Sequence, residues 1–272
     1  MSTVLIDKRD DGVALLTLNR PDSLNALGED MLPRLAAALE DCAADESVRC
    51  VALTGAGRAF CAGGDVKRQH ERRARMDDSG GNAGAMVERG TKELFENQMS
   101  VSETLHVMPK PTVALVNGHA VGAGQSIALA CDIRIASERA KFGTAFRNVG
   151  LSGDYGGSYF LQRLVGASKA RELYFTGEIL DASRAMDLGF VSRVVAHESL
   201  MTEGLAFCTE LAQGPTSAFG RMKANLTVAE TGTLADALRE EARNMSLSRF
   251  GDDHKEAVAA FVEKRTPKFV GH

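Results

Sequence analysis

Two apolar runs in the chain each end in a glycine turn, and this repeated pattern restricts the folds that the sequence can adopt. Cys50-Val-Ala-Leu-Thr54 leads into Gly55-Ala-Gly57, and Thr112-Val-Ala-Leu-Val116 leads into Asn117-Gly118. Because both runs are almost wholly apolar, we expect strands that are buried on both faces, as in parallel sheets covered by helices. A helix ahead of the first run is predicted from apolar residues that recur every four positions, namely Leu27, Met31, Leu35 and Leu39. The sequence therefore predicts the α/β class with a largely parallel sheet.

The two ends of the chain carry different patterns. Asp10-Asp11-Gly12 separates two short β-type runs, which is typical of a β-hairpin. After Pro215 the strand patterns stop, and apolar residues follow at helical spacing. These residues include Leu234, Leu238, Met245, Val258 and Phe261. We therefore predict an α/β core over residues 1–205 and a helical region over residues 206–272.

Charge and cysteine usage disfavour several classes of protein. The chain has 32 Lys and Arg against 36 Asp and Glu, a net charge of −4, so it lacks the cationic excess that favours nucleic-acid binding. Five cysteines without a C-x-x-C pair indicate a reducing, cytoplasmic setting. The N-terminal segment lacks the apolar core of a secretory signal, and polar residues interrupt the apolar stretch over residues 113–131, so we expect no membrane span. No group of cysteine, histidine and carboxylate residues has metal-ligand spacing, so no metal is expected.

Two glycine motifs resemble a dinucleotide-binding site and a serine-nucleophile site, but each lacks a glycine that its motif needs. Gly55-Ala-Gly57 resembles the start of a dinucleotide-binding fingerprint, but Phe60 replaces the glycine that permits close packing of helix on strand. Gly124-Gln-Ser126-Ile-Ala128 lacks the final glycine of a nucleophile elbow. We therefore expect Ser126 to be a small polar residue in a first helical turn, and His119 to be packed in the core. A serine thioesterase that uses Ser126 stays an alternative.

Two other turns are suited to presenting backbone N–H groups to a ligand. Residues 59–65 follow one buried strand, and residues 117–124 follow another and open a helix. Small residues let a ligand approach the main chain, and a helix start offers N–H groups without partners. Two such groups that converge on one oxygen would form an oxyanion hole.

The chain resembles the crotonase superfamily of enoyl-CoA hydratases and isomerases over nearly its whole length. The resemblance depends on the order and spacing of Asn19-Arg-Pro21 with Leu24-Asn-Ala-Leu27, Phe60-Cys-Ala-Gly-Gly-Asp65, Pro111-Thr-Val-Ala with Asn117-Gly118, Ala130-Cys-Asp-Ile-Arg134, Ala140-Lys-Phe-Gly143, Ala185-Met-Asp-Leu-Gly189 and Phe261-Val-Glu-Lys-Arg265. It implies a crotonase-like spiral of ββα repeats with a C-terminal helical trimerisation region, assembled as a homotrimer or a dimer of trimers. It also implies acyl-CoA thioester substrates and no separate cofactor, because CoA is part of the substrate.

The resemblance further implies particular site residues. The N–H groups of Ala62 and Ala123 would hold the enolate oxygen, with Ala123 at a place where the family usually has glycine. Substrate-binding positions would be Ser23, Leu24, Ala26, Ala62, Gly63, Gly64, Asp65, Ala123, Phe146, Phe261 and Lys264. In the family, residues at the places of Phe261 and Lys264 often reach CoA from a neighbouring subunit.

The predicted acid/base residue is Asp154. Hydratases of this family carry two glutamates where this chain has Ser126 and Phe146, whereas isomerase-like members carry an aspartate at the place of Asp154. A carboxylate beside an oxyanion hole can take a proton from one carbon and return it to another, and an apolar pocket would raise its pKa toward the range of a general base. The alternative is that Asp154 caps the helix expected near Gly156.

The leading interpretation is therefore an enzyme that stabilises a thioester enolate and shifts a double bond or rearranges the acyl group. A hydratase with an atypical residue set and a non-catalytic acyl-CoA-binding relative are the alternatives. We expect the shape of the acyl pocket to depend on Phe142, Phe146, Tyr159 and the irregular, charge-rich segment over residues 67–90.

Overall fold

A computed structural model describes residues 2–28, 30–65 and 83–272. Its strands are β1 (Val4–Lys8), β2 (Val13–Leu18), β3 (Cys50–Gly55), β4 (Ala59–Cys61), β5 (Thr112–Val116), β6 (His119–Val121), β7 (Ile133–Ser137), β8 (Lys141–Gly143), β9 (Leu180–Asp181) and β10 (Arg193–Val195). Its helices are α1 (Met31–Ala44), α2 (Ala83–Gln98), α3 (Thr104–Val107), α4 (Ala123–Ala130), α5 (Gly157–Val165), α6 (Ala167–Thr176), α7 (Ala182–Asp187), α8 (Leu200–Ala212), α9 (Thr216–Thr231), α10 (Leu234–Arg249) and α11 (Asp252–Glu263).

The strands form two sheets that the chain visits alternately. The larger sheet has the order β1-β2-β3-β5-β7-β10, and the smaller has the order β4-β6-β8-β9. The β1–β2 pair is the predicted antiparallel hairpin, and the remaining pairs of the larger sheet are parallel. Along the chain, β3, β5 and β7 of the larger sheet are each followed by a strand of the smaller sheet, β4, β6 and β8 respectively. The predicted spiral of ββα repeats is thereby confirmed.

The strands and helices are held by a core that the apolar patterns anticipate. All residues of β3 and β5 are buried, as expected for parallel strands covered on both faces. Met31, Leu35 and Leu39 form the buried face of α1. The predicted helix began too early, because Leu27 lies before the start of α1. Its backbone N–H donates to the Gly63 carbonyl, and its carbonyl accepts from the Asp65 N–H.

Asp132 ties the C-terminal region to the larger sheet. Its carboxylate accepts hydrogen bonds from the backbone N–H and the hydroxyl of Thr112, at 2.8 and 2.9 Å, and forms an ion pair with Lys223 of α9 at 2.8 Å. Asp132 directly precedes β7, so these contacts connect the start of that strand to β5 and to α9.

Helix α8 joins the sheet region to the C-terminal helices. The predicted boundary between residues 205 and 206 falls inside it, and its residues Leu200, Cys208 and Ala212 are buried against the larger sheet. Residues 83–90, predicted to be irregular, form the first half of α2, whereas residues 67–82 of that prediction lie outside the described residues. In the described part of the chain, no helix is both long enough and apolar enough to cross a membrane.

Candidate active site

Two glycine turns meet side by side at one end of the smaller sheet. Strands β4 and β6 pair in parallel, so the turns that follow them are neighbours. A Cβ built on Gly63 would lie 2.8 Å from the carbonyl oxygen of Val121 and 3.4 Å from the nitrogen of Ala123. A Cβ on Gly124 would overlap the Cys61 carbonyl oxygen at 2.1 Å. Only glycine permits this approach, and the two backbones are therefore in direct contact.

The two predicted N–H donors differ in their present partners. Ala123 is the first residue of α4 and is buried, and no described residue accepts a hydrogen bond from its N–H group. This is the position at which a helix leaves a donor without an internal partner. The N–H group of Ala62 instead donates to the carbonyl oxygen of Leu24 at 3.0 Å. A substrate oxygen would have to share or replace this acceptor.

The segment that precedes α1 runs along the first of these turns. Leu27 N–H donates to the Gly63 carbonyl at 2.7 Å, and the Asp65 N–H donates to the Leu27 carbonyl at 3.3 Å. The guanidinium of Arg20 joins the Asp65 carboxylate, at 3.1 Å, to the Ala26 carbonyl, at 2.6 Å. Predicted substrate-binding residues are therefore brought together on three adjacent segments, and these are Ser23, Leu24, Ala26, Ala62, Gly63, Gly64, Asp65 and Ala123.

Asp154 lies on a short loop before α5, with its carboxylate unpaired. The Oδ1 atom is buried, and no described residue donates a hydrogen bond to the carboxylate. Loss of solvation raises the pKa of Asp154 to about 6. The helix-cap alternative is wrong for this side chain, because the N-cap residue is Gly156 and no side chain caps α5. What Asp154 contributes is its carbonyl, which accepts the Gly157 N–H at 3.1 Å.

The Asp154 loop lies close to the second glycine turn. The Phe146 ring lies between them, because its edge is 3.7 Å from a Cβ built on Gly122 in that turn and 3.8 Å from one built on Gly153 in the loop. Burial raises the pKa of the Cys61 thiol to about 12, and the Asp154 charge adds to this rise, which indicates a carboxylate near the first turn. A thiol with such a pKa is a poor nucleophile at neutral pH.

Ser126 and Phe146, where the resemblance implies the glutamates of a hydratase, carry no carboxylate. The Ser126 hydroxyl is buried and donates to the Gly122 carbonyl one helical turn back, at 3.3 Å. Phe146 is buried, and its ring is stacked on that of Tyr174 with 6.1 Å between centroids and 15° between planes. The Phe146 ring therefore makes this part of the site apolar.

The loop is fixed from the other side by a π-helical turn at Met99–Glu103, which connects α2 to α3. The Gln98 side chain accepts the Tyr155 N–H at 2.9 Å, and the Ser102 hydroxyl donates to the Tyr155 carbonyl at 2.9 Å. Tyr155 has a φ of 49°, in the left-handed region that non-glycine residues seldom adopt. The other described non-glycine residues with positive φ are Leu24, Asn25, Ala145 and Lys264. Apart from Lys264, all of them adjoin residues of the candidate site.

Other predictions about individual residues are corrected. Phe142 packs edge-to-face on Phe190 in the core, and the Tyr159 hydroxyl is bonded to Glu230 at 2.7 Å. His119 is exposed at the start of β6 and is not packed in the core. Phe261 and Lys264 are exposed at the end of α11. Their contact with CoA from a neighbouring subunit stays a prediction.

Tyr174 is the site residue that the sequence analysis missed. It lies on α6 beside the buried Leu173, where an aromatic residue is typical of ordinary core packing. Its hydroxyl is buried and has no hydrogen-bond partner among the described residues. The sequence carried no signal that Tyr174 belongs to the site. The glycines against which its ring and hydroxyl pack, Gly153 and Gly157, are some 20 positions away in the sequence.

The raised pKa of Asp154 predicts a stability effect of removing its charge. The folded carboxyl keeps its proton to about pH 6, whereas the unfolded one loses it near the ordinary value of 3.8, so the folded state binds more protons between these values. As pH rises through this window, the wild type should therefore lose free energy of unfolding that Asp154→Asn does not lose. The expected extra loss is roughly 1–3 kcal/mol. Urea unfolding of both proteins at pH 4 and pH 8, at equal protein concentration, measures the difference. Parallel pH dependence of the two proteins would contradict this prediction.

Comparisons with known proteins agree over the whole chain. A family model described as enoyl-CoA hydratase/isomerase matches residues 8–272. The chain is 37% identical to the 1,2-epoxyphenylacetyl-CoA isomerase of Escherichia coli strain K12, and the match covers 100% of both chains. Crystal structures of enoyl-CoA hydratases from Mycobacterium smegmatis and Polaromonas sp. JS666 superpose with TM-scores of 0.88 and 0.89, at 34% and 31% identity. These cover 99% of this chain and 99% of the first structure, and 98% of this chain and 100% of the second. The chain therefore belongs to the enoyl-CoA hydratase/isomerase family.

Proposed function

We propose that the protein is an acyl-CoA isomerase in which Asp154 moves a proton on a thioester enolate. The observation that carries this proposal is a half-buried, unpaired carboxylate, with its Oδ1 atom fully buried and a pKa of about 6, close to the glycine turns. A base of this pKa is largely ionised at neutral pH, yet it binds a proton far more readily than an ordinary aspartate does. It can therefore accept a proton from one carbon and return it to another.

The N–H groups of Ala62 and Ala123 would hold the thioester oxygen. Removal of an α- or γ-proton places negative charge on this oxygen, and two fixed N–H donors lower the energy of that anion. The unpartnered Ala123 N–H supports the assignment. The Ala62 N–H can take the same role if, when substrate binds, its hydrogen bond to the Leu24 carbonyl is broken or is shared with the thioester oxygen.

A hydratase reaction fits the site less well. Syn addition of water needs a group that activates the water and a source for the proton added to carbon. The places of the two hydratase glutamates hold a serine hydroxyl bonded to a carbonyl and a phenylalanine ring. A relative named as an isomerase is similar over the complete chain, at 37% identity.

Exchange of substrate hydrogen with deuterated water tests the proposed function. Enoyl-CoA and arylacetyl-CoA esters incubated with the protein in D₂O should gain deuterium at the α- or γ-carbon, as followed by mass spectrometry. Binding of these esters without any exchange would favour the non-catalytic acyl-CoA-binding alternative. Formation of a 3-hydroxyacyl-CoA product would favour the hydratase.

We further propose that the C-terminal helices assemble the protein into a trimer or a dimer of trimers. Many apolar side chains of α9–α11 and the turns between them are more than half exposed in the single chain, namely Met222, Leu226, Leu234, Leu238, Met245, Phe250, Val258, Phe261 and Val262. Apolar area of this extent is stabilised when another surface covers it. In such an assembly, Phe261 and Lys264 would contact the CoA moiety from a neighbouring subunit.

Light scattering at micromolar concentration should therefore give three or six times the chain mass of 29.0 kDa. A double variant, Leu234→Glu with Leu238→Glu, should lower that mass, because it places charge on two exposed apolar positions of α10. A wild-type mass of 29.0 kDa would contradict the proposal.

A further inference from the structure

Tyr174 places a polar atom in an otherwise apolar wall of the site. A Cβ built on Gly153 would lie 3.2 Å from the edge of its ring and 3.5 Å from its hydroxyl oxygen. A Cβ built on Gly157 would lie 2.7 Å from the same oxygen and 2.3 Å from the Ser126 hydroxyl oxygen. The Tyr174 hydroxyl therefore lies between the loop that carries Asp154 and the first turn of α4.

The hydroxyl has no partner that would offset its burial. It is buried, and no described residue donates to it or accepts from it. A buried hydroxyl without a hydrogen bond destabilises a protein by about 1–3 kcal/mol, and an unpaired group of this kind calls for an explanation. Burial, together with the nearby charge of Asp154, raises the pKa of Tyr174 to about 12, so the phenol keeps its proton and can donate it in a hydrogen bond.

The surroundings of the phenol indicate the kind of group that it would meet. The parallel stack of Phe146 on Tyr174 forms a flat wall, which favours a planar ring in the substrate over a bulky branched chain. At the edge of this wall, the Tyr174 hydroxyl would be next to the acyl group, on the side of Asp154.

We infer that Tyr174 is a specificity-determining residue whose hydroxyl donates a hydrogen bond to an oxygen atom on a cyclic or aromatic acyl group. The inference rests on the proposed function, because it assumes that the acyl group lies between the glycine turns and Asp154. The substrate class is thereby narrowed to ring-containing acyl-CoA esters that carry a hydroxyl, ether, epoxide or carbonyl oxygen. Such a site discriminates against the analogue that lacks the oxygen, because the buried phenol then stays unpaired.

Binding to a matched series of esters tests this inference. Phenylacetyl-CoA and its 2-, 3- and 4-hydroxy derivatives are titrated calorimetrically into the wild type, Tyr174→Phe and Tyr159→Phe. Tyr174→Phe removes only the hydroxyl and keeps the ring that stacks on Phe146. Tyr159→Phe removes a hydroxyl that is bonded to Glu230, and so serves as the control.

The wild type should bind at least one hydroxylated isomer about tenfold more tightly than phenylacetyl-CoA, the effect of one buried hydrogen bond. Tyr174→Phe should lose this preference without weaker binding of phenylacetyl-CoA, and Tyr159→Phe should keep it. The inference is overturned if the wild type shows no preference, if Tyr174→Phe keeps it, or if Tyr174→Phe weakens all four esters equally.

The two proposals fail in different ways. If the esters bind, and exchange hydrogen, but Tyr174→Phe leaves the preference unchanged, the inference about Tyr174 alone is wrong. If none of the esters binds, both the proposed function and the inference are overturned.

Discussion

Replacement of Asp154 by asparagine should lower turnover of the acyl-CoA substrate by roughly 100-fold or more, the usual scale of general acid–base assistance. Asparagine keeps the size of the side chain but has no basic group. The carboxylate makes no hydrogen bond to described residues, so its removal breaks no contact that would hold the loop. Binding of the ester should therefore change little, and kcat should carry the loss. Steady-state kinetics and calorimetry together separate the two effects.

The pH dependence gives a second readout of the same residue. With a pKa of about 6, the wild-type base should be protonated progressively below pH 6, and kcat/KM should fall with it. The residual activity of Asp154→Asn should lack this limb of the profile. Asp187→Asn, an exposed carboxylate at the end of α7, is the control and should retain wild-type turnover. Hydrogen exchange at the wild-type rate in Asp154→Asn would show that the base is another residue.

Substitution of Ala123 by proline should also be severe, with a fall in kcat of about 100- to 1,000-fold. Proline removes the N–H group that would hold the enolate oxygen and places its ring where the proton was. The substitution should not unfold the protein, because Ala123 is the first residue of α4 and its N–H has no acceptor among the described residues. Proline is well tolerated at this position of a helix. Circular dichroism and gel filtration check the fold, and kinetics measure the loss.

Two variants control for the change of backbone. Ala123→Ser keeps the N–H group and should stay within a few-fold of wild-type turnover. Ala167→Pro makes the same substitution at the first residue of α6, which is exposed and also follows a glycine with positive φ, so activity should be unaffected. If Ala123→Pro folds and remains active, the oxygen of the thioester is not held there.

The architecture could be predicted from local patterns because its elements obey local rules. The buried strands β3 and β5, the hairpin at Asp10-Asp11-Gly12 and the apolar face of α1 each depend on residues that are close together in the sequence. The start of α1 was predicted wrongly because Leu27 has the right spacing for the helix, yet its backbone pairs with a turn almost 40 residues later. Spacing alone does not reveal such a competitor.

The candidate site was only partly predictable for the same reason. Asp154 could be singled out by its motif. The burial of its Oδ1 atom and its lack of a partner instead depend on four separate segments, those of Phe146, Tyr174 and the two glycine turns. The bond between the Ala62 N–H and the Leu24 carbonyl likewise joins segments that no pattern connects. A sequence motif names a residue, whereas its partners follow from the tertiary fold.

The left-handed residues that border the site imply a conflict between durability and catalysis. Such a conformation is unfavourable by roughly 1–2 kcal/mol for an ordinary L-residue, and Leu24, Ala145 and Tyr155 adopt it within one or two positions of proposed site residues. Glycine at any of them would relieve that unfavourable energy, but it would also let the neighbouring segment sample other geometries. Directed evolution for thermal stability alone would therefore tend to accept glycine at these positions. The more stable variants that it selected would have lower turnover.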